Sequence, residues 1–398
     1  MKIFHLSDLH IGLKLMNRDL TEDQIHIFRQ IAEAAKMEKP DAIVIAGDLY
    51  DRAVPSAEAV ELFDRFVLML VEAAPEAEIM MISGNHDSAP RVNVFRQVLD
   101  RQRIHMIGLP PMLPGDRIEK VTLKDDYGPV HFYLLPFVKP SVVRPLVGSD
   151  ADGNLLSYDE TLHRLIGLEE LNPAERNVLV SHQFYLPVGT DAEDIPRMDS
   201  EVRTVGNIDE VRADVLAPFD YAALGHIHKP MTVGSDRYRY CGTPLACSVS
   251  EAGQQKAILV VELGEKTAGE KRADADGSEA GLAAVQITEI PLTPLHPVRV
   301  VRGTLTEVLR QGSDDYVSVV LTDEKDLDLF DMQDRVHGAF PNVLEIRREV
   351  PGRQNGGRKL QEMAALTPFE IAEQFLGEMD DAEKELLQVV MNSLEVTG

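Results

Sequence analysis

Residues 2–10 read Lys2-Ile3-Phe4-His5-Leu6-Ser7-Asp8-Leu9-His10, a short apolar strand that runs directly into an aspartate and a histidine. Side chains two residues apart on a strand point to the same face, so Asp8 and His10 leave the strand end together. A carboxylate and an imidazole in that arrangement form half of a metal site. Asp-x-His also occurs by chance on protein surfaces, so the metal interpretation depends on partners elsewhere in the chain.

Partners of the right type follow four other apolar runs, each where a predicted strand ends. They are Asp48 after 42–46, Asn85, His86 and Asp87 after 78–83, His182 after 177–181, and His226 and His228 after 221–224. Carboxyl ends of strands line the ligand crevice of open α/β sheets, and glycine before Asp48, Asn85 and His226 suits close backbone approach. Imidazole, carboxylate and amide donors suit Mn²⁺, Fe²⁺ or Zn²⁺, while the lack of cysteine among them disfavours a structural zinc site.

Length and composition describe an ordinary globular protein. The chain has 398 residues with 44% hydrophobic and 27% charged residues, enough for two or three domains. No apolar run approaches the roughly 18 residues of a membrane span, and the start of the chain does not resemble a signal peptide. Cys241 and Cys247 are expected to be reduced and partly buried in a cytoplasmic protein, with a structural disulfide as the less favoured alternative.

The net charge of −26 bears directly on function. Proteins that bind nucleic acid are usually basic, because neutralisation of phosphates drives their affinity. A nucleic-acid role would therefore need local basic patches, metal ions or a partner. The simpler interpretation is that the acidity supports solubility.

The pattern up to residue 265 predicts an α/β architecture in which strands alternate with helices. A first helix starts near Thr21, where Thr21 and Gln24 fit a capping box, and a second starts near Ser56. A third helix is expected over 91–103, with Val94, Val98 and Leu99 inward and four arginines in solvent. The segment 264–282 lacks apolar periodicity and is expected to be an exposed, mobile hairpin loop within a first domain of 1–295.

The remainder divides into three parts. Strands at 298–303, 316–321 and 343–348 and helices near 304–310 and 326–337 predict a small α+β domain over 296–350. A glycine-rich stretch marks 351–366 as a linker. Two amphipathic helices are expected in 367–398, and they either pack back on the body or form a helical hairpin that docks on a partner.

The ordered motifs Asp-x-His, Gly-Asp, Gly-Asn-His-Asp, a lone His and Gly-His-x-His resemble those of the calcineurin-like metallophosphoesterases. The resemblance implies a two-sheet sandwich flanked by helices. Carried over by position, it implies that one divalent ion is held by Asp8, His10, Asp48 and His228, and a second by Asp48, Asn85, His182 and His226. Mn²⁺ is the expected ion at both positions.

A finer resemblance, to SbcD-type nuclease subunits, rests on 135–140, 221–230, 240–244 and Ser250-Glu251. It implies a DNA exonuclease and endonuclease of the nucleoid that acts in repair and recombination. The implied assembly is a homodimer within a heterotetramer, with an SbcC-type coiled-coil ATPase bound through the C-terminal helices. Asp51 stands where archaeal and eukaryotic relatives have histidine, so a second phosphate-orienting histidine is not assured.

Two residues next to the metal ligands are expected to take part in catalysis. If Asn85 is a ligand, His86 points away from the ions, and we predict that it binds the scissile phosphate and protonates the leaving group. Asp87 would orient His86, with capping of the turn as an equal alternative. Arg91, Arg96, Arg101, Arg103 and the pair Arg347-Arg348 are candidate DNA contacts, although a solvated surface is the simpler interpretation of each.

Two other function classes compete with the DNA nuclease. One is a stand-alone phosphodiesterase on a small phosphoester, which the acidic charge does not oppose but which would not need the C-terminal domain or helices. The other is a non-catalytic scaffold, which the complete set of metal ligands disfavours.

Overall fold

The structure, a computed structural model, describes residues 1–190, 198, 201, 209–273, 279–323 and 328–349, without the side chains of 267–280. The predicted linker 351–366 and helical segment 367–398 lie outside the described residues. One compact unit comprises 1–300, 313–318 and 340–345, and a second comprises 301–312, 319–339 and the chain from 346 onward.

The strands and helices, in chain order, are as follows. The strands are β1 (Lys2–Leu6), β2 (Lys14–Leu15), β3 (Arg18–Asp19), β4 (Ala42–Ala46), β5 (Glu78–Ile82), β6 (Ile104–Ile107), β7 (Glu119–Asp125), β8 (Gly128–Leu135), β9 (Arg176–His182), β10 (Phe184–Leu186), β11 (Glu210–Arg212), β12 (Tyr221–Gly225), β13 (Met231–Thr232), β14 (Tyr238–Tyr240), β15 (Lys256–Ala273), β16 (Glu279–Leu292), β17 (Val298–Gly303), β18 (Tyr316–Leu321) and β19 (Val343–Arg348). The helices are α1 (Thr21–Glu38), α2 (Ala57–Ala73), α3 (Ala89–Val92), α4 (Arg96–Leu99), α5 (Pro140–Val147), α6 (Tyr158–Gly167), α7 (Leu305–Leu309) and α8 (Leu329–Ala339).

Two six-stranded sheets form the centre of the first unit, in the orders β16-β15-β1-β4-β5-β6 and β13-β14-β12-β9-β8-β7. Strand β4 is apolar throughout because both of its faces are buried. Val44 packs in the core between the sheets with Val180, whereas Ile43 and Ile45 pack in the core that includes residues of α1 and α2. Helices α5 and α6 share a further core with the second sheet. The predicted two-sheet sandwich flanked by helices is therefore confirmed.

Much of the segment 264–282, expected as an exposed, mobile hairpin loop, is paired strand, and its residues 274–278 lie outside the described residues. Strand β15 continues to Ala273 and pairs with β16, with register shifts between Leu263 and Lys266 and between Thr267 and Lys271. Register shifts of this kind are β-bulges or similar irregularities, and the two strands remain hydrogen-bonded on either side of them although their side chains do not alternate between apolar and polar.

The expected third helix is also wrong. Phe95 has a φ of 61°, so the chain forms two single-turn helices, α3 and α4, in place of one longer helix. Val92 is buried, whereas Val94 and Val98 are 51% and 63% exposed. Because Phe95 is left-handed, the residues before and after it do not share one helix face. Val94 and Val98, which were expected to be buried, therefore face solvent.

The capping box expected at the first helix is absent, although the helix does begin at Thr21. Leu20 occupies the N-cap without a side-chain cap. The Gln24 side chain instead donates to the His10 carbonyl (2.9 Å) and accepts from the Gly12 amide (3.1 Å). Gln24 therefore fixes the loop that follows β1.

A three-stranded sheet has the order β17-β18-β19, and all three strands have the bounds expected from the sequence. Within the described part of the chain, no helix combines the length and apolar character that a membrane crossing requires. Cys241 and Cys247 are free and buried, as predicted.

Candidate metal centre

Four of the predicted ligands lie on left-handed backbone: Asp8 (φ 52°), His10 (43°), Asp48 (50°) and His226 (108°). Such angles are unfavourable for residues other than glycine and persist only where the surroundings enforce them, often at functional sites. The Asp8 amide donates to the Gly47 carbonyl and the His10 amide to the Asp48 carbonyl, both at 3.0 Å. Backbone hydrogen bonds therefore join the loop after β1 to the loop after β4 at the predicted site.

Glycine is required where these loops approach most closely. A Cβ on Gly84 would lie 2.1 Å from Asp48 Oδ1, and one on Gly225 would lie 1.9 Å from the Ala46 carbonyl oxygen. The strand ends can meet only because neither position carries a side chain.

One group of ligand atoms forms where β1 and the loop after β12 meet. His10 Nε2 lies 3.1 Å from His228 Nε2 and 3.8 Å from Asp48 Oδ2. Asp8 lies at the same edge of the sheets: its carboxylate accepts the His226 amide at 3.1 and 3.2 Å and is within 4.8 Å of ligand atoms of Asp48 and His182. His10 and His228 are 218 positions apart in the chain.

A second group forms around Asn85. Its Oδ1 lies 3.0 Å from His182 Nε2 and 2.9 Å from His226 Nδ1. His182 Nε2 is 3.4 Å from the same Asp48 Oδ2 that faces His10. The structure thus brings all seven predicted ligands together, with Asp48 between the two groups.

The donor set fits divalent cations. Asp8, His10, Asp48, His182, His226 and His228 are all at most 4% exposed. Burying two carboxylates is unfavourable unless positive charge compensates them. His10 Nδ1, moreover, is buried without a hydrogen-bond partner among the described residues. Nitrogen and oxygen donors converging in a buried, acidic setting suit Mn²⁺, Fe²⁺ or Zn²⁺.

The burial and close contacts of these residues also shift their pKa values. Burial lowers the pKa of His10 to about 3 and raises the pKa of Asp8. Burial would also lower the pKa of His182, but the neighbouring Asp48 carboxylate outweighs it and brings that pKa to about 9. Burial would raise the pKa of Asp48, yet His182 holds it well below its usual range. An ion that uses His182 must therefore displace a proton.

His86 lies beside the ligand groups and is held mainly by backbone. Its amide donates to Asp48 Oδ1 (2.9 Å), and its Nδ1 lies 3.0 Å from the Asp51 carbonyl oxygen. The ring stands 4.9 Å from that of His10, edge to face. A backbone carbonyl sets the orientation of His86, so this contact does not depend on which side chain stands at position 51.

Asp87 makes the contacts of a turn cap. Its carboxylate accepts the backbone amides of Leu49 (3.0 Å), Tyr50 (2.9 Å) and Gly84 (2.9 Å). Burial, followed by the Asp48 charge, raises the pKa of Asp87 to about 6. Of the two interpretations given to Asp87, the geometry favours the one in which it ties the loops after β4 and β5 together.

A cleft of about 630 Å³ opens beside Asn85, His86 and His226. Its wall carries two cationic side chains, Arg52 and Lys139, two carboxylates, Asp51 and Asp209, and the ring of Phe137. The cleft therefore gives a substrate access to the ligand groups, and its wall is of mixed charge.

Sequence reasoning missed a buried network behind His228. Glu251 Oε1 lies 3.4 Å from His228 Nδ1, and Glu251 Oε2 accepts from Lys256 Nζ (2.6 Å) and Thr243 Oγ1 (2.8 Å). Burial would raise the pKa of Glu251, but His228 and Lys256 hold it well below its usual range. Glu251 follows no predicted strand end, and its only signal was the Ser250-Glu251 motif of the resemblance.

We expect Glu251→Gln to weaken divalent-ion binding by about 10- to 100-fold, because a carboxylate that orients a metal-binding imidazole also raises its basicity. Isothermal titration with Mn²⁺ measures this change. Glu169→Gln serves as the matched control, since Glu169 accepts a backbone amide from Ile118 away from the site. Equal Mn²⁺ affinities in the two variants would contradict the orienting role.

Comparison with known proteins places the chain among phosphoesterases. Residues 1–230 match the calcineurin-like phosphoesterase family, and residues 294–380 match the type 5 capsule protein repressor C-terminal domain. The chain is 26% identical over 359 residues to the SbcD component of the SbcCD nuclease of Staphylococcus epidermidis, a match that covers 88% of this chain and 86% of the relative.

Solved structures with a related architecture include a dimetal phosphatase from Danio rerio, with a TM-score of 0.38 and 14% identity over 74% of this chain and 99% of that chain. Another is the protein TT1561 of Thermus thermophilus, with a TM-score of 0.37 and 12% identity over 65% of this chain and 92% of that chain. The family match spans more than half of the sequence and contains every predicted ligand. The chain therefore belongs to the calcineurin-like phosphoesterase family.

Proposed function

We propose that this chain is the nuclease subunit of a DNA-processing complex, a phosphodiesterase that cuts duplex ends as an exonuclease and hairpin or single-stranded DNA as an endonuclease. The observation that carries the proposal is the pair of ligand groups joined at Asp48, beside a cleft that reaches Asn85, His86 and His226. The similarity to a nuclease component over most of the chain supports DNA as the substrate.

In the proposed site, Asp8, His10, Asp48 and His228 hold one divalent ion, and Asp48, Asn85, His182 and His226 hold the other, with Mn²⁺ as the ion of choice. When bound, two such ions supply an activated water and neutralise the phosphoryl oxygens. The chain itself holds the donor atoms in position. Asp48 sets the separation of the two positions, and the strained loops after β1 and β4 hold the donors without reorganisation.

His86 and the cleft act on the substrate. With Nδ1 held by the Asp51 carbonyl, Nε2 is left to face the cleft and donate a proton to the leaving oxygen. Lys139 and Arg52 lie on the same cleft wall and hold the flanking phosphates of the strand. Asp87 keeps this arrangement in place through its three backbone contacts rather than by touching substrate.

The acidity of the chain limits how much DNA it can hold alone. Arg96 and Arg103 are paired with Glu119 and Glu76, whereas no ion pair to Arg91 or Arg101 occurs among the described residues. These two arginines therefore remain candidate phosphate contacts. An SbcC-type ATPase, docked through the helices of 367–398, supplies most of the positive surface in this proposal.

A substrate comparison tests the proposed function. The full chain with Mn²⁺, with and without its ATPase partner, is incubated with linear duplex, hairpin DNA and bis-p-nitrophenyl phosphate. Cleavage of DNA that depends on the partner supports the nuclease. Brisk hydrolysis of the small ester without DNA cleavage, even with the partner, would favour a stand-alone phosphodiesterase acting in the cytoplasm.

A homodimer is the proposed state of the chain, and an exposed apolar patch supports it. Val94, Phe95 and Val98 are 51%, 75% and 63% exposed. They lie within five residues of one another, at the start of α4 and just before it, and this concentration of exposed apolar side chains is typical of an interaction surface. Burial of this patch against a second copy accounts for its composition.

We expect Phe95→Glu to convert the dimer into a monomer, because a charge in the buried centre of an apolar interface is left uncompensated. Analytical ultracentrifugation of the full chain measures the change. Leu113→Glu is the matched control, since Leu113 is 62% exposed and lies outside the patch. A dimer that survives Phe95→Glu would place the interface elsewhere.

A further inference from the structure

A sulfur donor lies beside one of the two ligand groups. The ligand atoms of His10, His228 and Cys247 all lie within 4.8 Å of one another, and Cys247 is 8% exposed. The second group, around Asn85, His182 and His226, offers only nitrogen and oxygen atoms. The two positions are therefore chemically unequal.

The loop that carries Cys247 is fixed against His228. The Cys247 amide donates to Glu251 Oε1 (3.2 Å), the same oxygen that faces His228 Nδ1. Among the residues that the structure describes, the thiol itself makes only a long contact of 3.5 Å to the Leu245 carbonyl. Its sulfur is thus held near the imidazoles without a strong hydrogen bond that would have to be broken.

The two imidazoles beside Cys247 face each other through one nitrogen each. His10 Nε2 lies 3.1 Å from His228 Nε2, and both residues are at most 2% exposed. Buried ring nitrogens that converge in this way have the arrangement of two ligands to one cation. Together with the neighbouring thiol, they have the donor composition of a site for a thiophilic cation.

We propose that Cys247 supplies a thiolate to the ion held between His10 and His228, so that this position binds Zn²⁺, Co²⁺ and Cd²⁺ more tightly, relative to Mn²⁺, than the position at Asn85 does. The inference rests on the proposed two-ion site. On coordination the thiol proton is released to solvent and the sulfur lone pair binds the cation. Soft thiolate ligands favour these ions over Mn²⁺, which prefers oxygen donors.

Cobalt spectroscopy of the metal-free full chain under reducing conditions tests the proposal. Bound Co²⁺ gives visible d–d bands with nitrogen and oxygen ligands, and it adds an intense near-ultraviolet charge-transfer band only with a thiolate. We expect both features in the unaltered chain. The chain has two cysteines, so Cys241→Ser is the matched control, with Cys241 Sγ placed 3.0 Å from Ser7 Oγ. The charge-transfer band should persist in Cys241→Ser and vanish in Cys247→Ser, while the d–d bands remain in both.

The outcomes separate this proposal from the proposed function. Visible bands without the charge-transfer band in the unaltered chain would overturn the role of Cys247 and leave the two-ion site intact. No Co²⁺ spectrum at all would overturn the two-ion site and the thiolate together. Loss of the charge-transfer band in Cys241→Ser would assign the sulfur to the other cysteine and overturn the proposal. Should Cys247→Ser fail to fold, the unaltered chain and Cys241→Ser still decide the question.

Discussion

Asp48→Asn is expected to reduce the ion content from two per chain to one at most and to abolish measurable phosphodiester cleavage. Asp48 Oδ2 faces His10 and His182, which belong to different ligand groups. Even residues that only orient ligands change metal affinity by about 10- to 100-fold, so removing a charge shared by both positions should cost at least about 100-fold at each. The amide oxygen that replaces the carboxylate is a weaker donor and carries no charge.

The measurement is elemental analysis of the purified variant after equilibration with Mn²⁺, alongside hydrolysis of bis-p-nitrophenyl phosphate. Asp220→Asn is the control, because Asp220 is also fully buried but accepts the Asn177 and Ala283 amides away from the site. It should lower stability without lowering ion content. Two tightly bound ions in Asp48→Asn would show that the groups do not share this carboxylate.

The sequence could predict that the seven proposed ligand residues meet, because they stand at strand ends. Successive side chains of a strand point to opposite faces, so the position of a residue decides on which face its side chain lies. The carboxyl ends of parallel strands meet at one edge of the sheet. Asp8, Asp48 and His226 could therefore be placed together before any geometry was known. Their left-handed backbone could not be predicted, because none of the three is a glycine and the strain is imposed by neighbouring loops.

The parts that escaped prediction depend on single local conformations or on contacts distant in sequence. A left-handed Phe95 splits the third helix and exposes Val94 and Val98, and nothing in the apolar spacing signals that break. Asp87 could orient a histidine or cap a turn, and only the three amides around its carboxylate distinguish these roles. Glu251 comes from a loop rather than a strand end, so strand periodicity gives it no position at the site.

His86→Ala should leave both ions bound while cleavage falls by about 10²- to 10⁴-fold, the range that a positioned general acid contributes. In the proposed site the His86 side chain holds no ion: its Nδ1 faces the Asp51 carbonyl, and its ring packs edge to face on that of His10. The contact of His86 to Asp48 is made by the backbone amide and survives the substitution. Loss of catalysis with intact ion binding is therefore the signature of a residue that acts on the substrate.

The substrate's leaving group sharpens this test. p-Nitrophenolate leaves without protonation, whereas the 3′ or 5′ oxygen of DNA requires a proton, so His86→Ala should impair DNA cleavage far more than hydrolysis of bis-p-nitrophenyl phosphate. His163→Ala, on α6 and hydrogen-bonded to the Asp159 carbonyl, is the matched control and should change neither rate. Equal losses on both substrates would indicate that His86 binds phosphate without donating a proton. Loss of both ions would instead make His86 part of the metal centre, because only a ligand or its direct support changes ion content.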